Sequence, residues 1–128
     1  MDTEEVIRKY IEIFCLVLKV IGEKTGNKKY QGAKELMERE HIVDELKDTN
    51  FPIPIIIAIL ILHVLIDIHG VDFFDGKDSD FTTKYVDSMW INYLRKPTNT
   101  FLRKNGLETI KEDLSYYEKI RVFRKQKI

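Results

Sequence analysis

The stretch Pro54-Ile55-Ile56-Ile57-Ala58-Ile59-Leu60-Ile61-Leu62-His63-Val64-Leu65-Ile66-Asp67-Ile68 packs eleven large aliphatic side chains into fifteen positions. Its β-branched residues would suit a buried pair of strands, but a run of this length without a turn signal predicts a helix. Pro52 and Pro54 belong at a helix start, where a missing amide hydrogen costs nothing, and Thr49-Asn50 offers a cap. Gly70 is placed to close the helix in the left-handed conformation. Such a segment is apolar all round and must be enclosed by other elements, which makes it the centre of a bundle. It spans about 22 Å at 1.5 Å per residue, short of a hydrocarbon layer of roughly 30 Å, and Asp67 adds a further penalty. No membrane span is expected.

The segments on either side read as the helices that enclose it. A first helix starts at Asp2 or Thr3 and ends near Gly22, with Glu4 and Glu5 at the positive end of its dipole. Ile7, Tyr10, Ile11, Phe14, Val17, Leu18 and Ile21 follow the three-four spacing of one face, and Val6, Ile13, Leu16 and Val20 widen it. Residues 23–29, with Gly26-Asn27, read as a loop. A second helix over 30–47 has a narrow apolar stripe of Ala33, Leu36, Met37, Val43 and Leu46, as a peripheral helix would. After a loop at 71–79 that turns on Asp75-Gly76, Asp80 caps a fourth helix. That helix presents Phe81, Tyr85, Val86, Met89, Trp90, Tyr93 and Leu94 on one face and stops at Pro97. Asn105-Gly106 is either a hairpin turn or a helix stop. The helix reading is preferred, because Leu107, Ile110, Leu114, Tyr117, Ile120 and Phe123 continue at helical spacing as a last helix.

The expected fold is therefore all-α, a compact bundle of four to five helices around a central apolar helix at about 54–69, in one domain over residues 1–128. A chain of 128 residues with 44% hydrophobic and 33% charged content can bury such a core without a staple. Helices gathered round an apolar one resemble the Bcl-2-like bundles in topology. That family's Asn-Trp-Gly-Arg motif is absent, Trp90 standing instead in Ser88-Met89-Trp90-Ile91, so no residue role is carried over.

Motifs for chemistry are sparse. Cys15 is the single cysteine, flanked by Phe14 and Leu16, which excludes an intrachain disulfide and suggests a buried, inert thiol in a reducing, cytoplasmic setting. The acidic N-terminus does not read as a secretory signal. No glycine-rich phosphate loop, HExxH or nucleophile elbow occurs, so an enzyme is disfavoured and no cofactor is expected. Asp72, Asp75, Asp78 and Asp80 do not fit the EF-hand frame. His63 and Asp67, four residues apart, share one face as the polar pair of the central helix. They suit a structural pair, an acid/base couple, or part of a metal site completed through the fold by His41, His69 or Asp72.

The formal net charge of zero conceals a split. Residues 1–94 carry 11 Lys/Arg and 17 Asp/Glu, whereas residues 95–128 carry 10 and 4. The basic candidates for contact with a partner are Arg95, Lys96, Arg103, Lys104, Arg121, Arg124, Lys125 and Lys127, interleaved with Phe101, Tyr116, Tyr117 and Phe123. Cations beside aromatics suit a nucleic-acid surface, while internal neutralisation of an acidic body accounts for the same charges. The first functional expectation is a small non-enzymatic interaction protein, an inhibitor or adaptor, binding a protein partner through a helical surface and able to form a homodimer. A nucleic-acid-binding accessory protein using residues 95–128 is the alternative, and a metal-dependent or acid/base site at His63/Asp67 comes third.

Overall fold

The apolar run does form a helix. In the computed structural model, which describes residues 2–69, 82–118 and 120, it is the 17-residue helix α4, Ile53–His69. Its first residue is Ile53, since the Ile56 amide already donates to the Pro52 carbonyl at 3.1 Å, leaving Pro54 in the first turn where it lacks nothing. Thr49 does not cap it. The Thr49 hydroxyl donates to the Leu46 carbonyl at 2.9 Å and closes the preceding helix instead. Ile56 to Ile66 are buried without interruption, because the helices over 3–25, 33–39 and 42–47, the segment 82–86 and the turn 114–117 all pack on α4.

α1, Thr3–Thr25, opens with the Asp2 side chain accepting from the Glu5 amide at 2.8 Å. Val6, Ile7, Tyr10, Phe14, Leu18 and Ile21 face the core. The helix runs past the expected stop at Gly22 to Gly26, whose φ of 73° supplies the left-handed turn. Gly22 serves packing: a Cβ there would lie 3.0 Å from the Tyr30 Cβ.

The single helix expected over 30–47 is broken into three. A 3₁₀ turn, Lys28–Gly32, leads into α2, Ala33–Arg39, and after a corner comes α3, Ile42–Lys47. The corner is made by His41 at φ 53°, a left-handed conformation that no glycine or proline advertises.

Residues 82–104 form one continuous helix, α5, which also differs from expectation. Two wide π segments, Thr82–Val86 and Trp90–Leu94, flank the short α-helical stretch Asp87–Met89, and Arg95–Lys104 completes the helix. Pro97 does not stop it. The second π segment shifts the hydrogen-bond register, with the Arg95 amide bonded to the Trp90 carbonyl, so Pro97 falls in the first turn of the following α segment. Val86, Met89, Trp90 and Leu94 are buried as their spacing predicts. In the core the Tyr10 and Thr98 hydroxyls meet at 2.7 Å, joining α5 to α1.

Asn105-Gly106 is a helix stop. Gly106 has φ 70°, its amide donates to Arg103, and the Leu107 amide donates to the Leu102 carbonyl at 2.9 Å. The expected last helix, however, does not form over residues 107–117. Residues 107–113 are extended and lead to a 3₁₀ turn, Leu114–Tyr117, while Ile110, Leu114 and Tyr117 still bury their side chains. Side-chain hydrogen bonds from α5 replace helical ones: Asn99 holds both backbone groups of Ile110, and the buried Asp87 accepts from the Ser115 amide and hydroxyl at 3.0 and 2.6 Å.

The fold is all-α, a compact bundle with no strand among the described residues. No helix is long and apolar enough to cross a membrane among them. The Gly70 stop, the 71–79 loop, the Asp80 cap, Phe81 and Phe123 lie outside the described residues.

Candidate functional site

α4 brings one imidazole into an otherwise aliphatic core. His63 is 4% exposed, and Asp67 follows one turn later on the same face, half-buried. The third member comes from the α2–α3 corner. Glu40 ends α2, its amide still donating to the Leu36 carbonyl at 3.0 Å, and from there its side chain reaches His63 on α4, one residue before the left-handed His41.

Both carboxylates converge on one atom. Glu40 Oε2 lies 2.7 Å from His63 Nε2, and Asp67 Oδ2 lies 2.8 Å from the same nitrogen. A ring nitrogen carries at most one proton, so Nε2–H cannot satisfy two ionised carboxylates equally. His63 Nδ1 is buried and has no hydrogen-bond partner among the described residues. That pattern favours the Nε2–H tautomer.

The surplus negative charge shows in Glu40. Loss of solvent raises its carboxyl pKa above the usual carboxylate range, a hydrogen bond to the Asp67 carboxyl raises it further, and His63 opposes both. Glu40 thus holds its proton to a higher pH than a solvated carboxylate would. The Glu40 side chain remains 34% exposed, so the cluster opens to solvent on that side. Chemically, it can hold protons or a cation.

Glu40 is the residue that the sequence does not reveal. It lies 23 positions before His63, in the charged run Glu38-Arg39-Glu40 that reads as a solvated face. Two of the third partners suggested by the sequence, His41 and His69, are placed elsewhere. His41 is exposed at the corner itself. His69 takes a 2.7 Å hydrogen bond with the Tyr30 hydroxyl and stacks edge-on with Tyr85, and burial lowers its pKa so that it stays neutral. Asp72 lies outside the described residues.

The basic candidates are described only in part. Arg95, Lys96, Arg103 and Lys104 are exposed on α5, but Phe101 and Tyr117 belong to the core, leaving Tyr116 as the exposed aromatic of that region. Arg121, Arg124, Lys125 and Lys127 lie outside the described residues. Cys15 is partly rather than fully buried, and desolvation raises its thiol pKa despite the opposing charge of Lys34, so the unreactive thiol form prevails.

Phe51, Ile91 and Tyr116 are exposed singly, whereas α1 exposes apolar residues side by side. On the outer side of α1, Leu16 is 67% and Val20 is 44% exposed, with Ile13 and Val17 half-buried beside them. No known protein family, characterised protein or solved structure matches this chain.

Proposed function

We propose that this protein is a small non-enzymatic interaction protein that assembles as a homodimer through the outer face of α1. The observation that carries this reading is the exposed row Glu12, Leu16, Val20, Lys24, spaced four residues apart along α1. Ile13 and Val17 broaden the row into a seam at three-four spacing, as a helix partner requires.

The row is complementary to itself. An antiparallel pairing about a two-fold axis between Leu16 and Val20 sets each Leu16 against Val20 of the second copy. It also sets each Glu12 against the second copy's Lys24, whose ammonium rests 5.8 Å from the Tyr93 ring in its own chain. Apolar contact at the centre and opposite charges at the ends are what an isologous helix interface needs. A single helix face is at the small end of stable interfaces, so a weak, concentration-dependent dimer is expected. The partly buried Cys15 fits a reducing compartment such as the cytoplasm.

Sedimentation equilibrium over a concentration series tests the reading. Wild type should approach dimer mass, Leu16→Glu should remain monomeric with an unchanged melting temperature, and the weakening by Glu12→Lys should be restored by adding Lys24→Glu. A wild type that stays monomeric at millimolar concentration, or an unaffected Leu16→Glu variant, overturns it.

A further inference from the structure

We infer that Glu40, His63 and Asp67 form a binding site for one divalent transition cation of the zinc class. Their ligating atoms all lie within 4.8 Å of one another, and they supply one imidazole nitrogen and two carboxylate oxygens. That donor set suits zinc, cobalt or manganese better than calcium or magnesium, which take oxygen ligands alone.

Three features of the molecule favour a cation over a plain structural pair. First, His63 and Asp67 are spaced four residues apart, which puts two ligands on one helix face. Secondly, a structural pair would need one carboxylate on Nε2, whereas two are brought there, the second from the C-terminal end of α2. Two carboxylates beside a nitrogen with a single proton leave negative charge that a 2+ ion neutralises directly. Thirdly, the ligands are held in a largely dry site that stays open on the Glu40 side, so an ion has an entry path and water can take a further position.

The adjustment on binding is small. Tetrahedral zinc, with bonds near 2.1 Å, separates its ligand atoms by about 3.4 Å, so the present 2.7 and 2.8 Å spacings must open by about 0.6 to 0.7 Å. Glu40, the most exposed of the three side chains, can retreat. The ion replaces the proton on Nε2, and His63 then carries its proton on Nδ1. That atom has no acceptor among the described residues, and the missing support weakens the affinity by roughly 10- to 100-fold relative to a supported histidine.

The test is calorimetric titration of the full chain with zinc chloride, and with cobalt chloride followed by visible absorption, which reports tetrahedral coordination. The expected result is one ion per chain, with affinity falling as pH is lowered because the ligands must shed protons. Glu40→Gln and Asp67→Asn should each weaken binding at least tenfold while far-ultraviolet circular dichroism stays unchanged. Glu40→Gln keeps the test decisive if a change at the buried His63 unfolds the chain. No binding by wild type, binding undiminished in both variants, or equally tight binding of magnesium overturns the assignment. The dimer reading is tested by mass and this one by metal, so either can fail alone.

Discussion

Asn99 binds Ile110 as one peptide group binds another: its amide nitrogen donates to the Ile110 carbonyl at 3.1 Å, and its oxygen accepts from the Ile110 amide at 2.8 Å. This pair fastens the extended stretch 107–113 to α5 and directs Ile110 and Leu114 into the core beside α4. Without it two partly buried backbone groups lose their partners. Asn99→Ala should therefore destabilise the protein by about 1 to 3 kcal/mol. Urea denaturation measures this directly, and a change under about 0.5 kcal/mol would show that the 107–118 segment is held by its apolar side chains alone.

Glu40 makes stability depend on pH in an unusual direction for a carboxylate. Its folded pKa is raised, by desolvation first and by the Asp67 carboxyl second, so the folded chain binds this proton more tightly than the unfolded chain does. Its contribution is fully present below the ordinary carboxylate pKa and is lost as pH rises through the folded value. Glu40→Gln is neutral at every pH and removes that loss. In metal-free buffer with chelator, the difference in melting temperature between the variant and wild type should shift in the variant's favour from pH 4 to pH 7. A difference that stays constant across that range would show that Glu40 titrates like a solvated carboxylate.

Reading the chain in order reveals the core better than the corners. α4 is legible because fifteen residues without a turn signal leave few alternatives to a buried helix, and the buried faces of α1 and α5 follow from simple spacing. Gly22 and Pro97 mislead because each residue type has two physical roles. Glycine ends helices but also admits a close neighbour such as Tyr30, and proline breaks helices except in a first turn, which the π segment before Arg95 creates. Ile110, Leu114 and Tyr117 keep helical spacing by sequence yet reach the core along an extended path, since burial constrains the side chain and not the backbone. The site was half legible. His63 and Asp67 are conspicuous against aliphatic neighbours, whereas Glu40 ends α2 one residue before a left-handed histidine, a break that local sequence does not mark.

His41 gives that last point a sharp test, because substitution by glycine has opposite signs in the two possible backbones. Were 30–47 one continuous helix, His41→Gly would place glycine in its interior and cost roughly 0.5 to 1 kcal/mol. At φ 53° the histidine instead carries the left-handed penalty of about 1 to 2 kcal/mol, which glycine relieves, partly offset by the greater freedom of the unfolded chain. The expected outcome is a gain of about 0.5 to 1 kcal/mol in stability. Ala at the same position keeps the penalty and should show no such gain. Thermal melts of the two variants beside wild type separate the cases. A destabilised glycine variant would mean that the chain does not turn at His41 and that α2 and α3 run on as one helix.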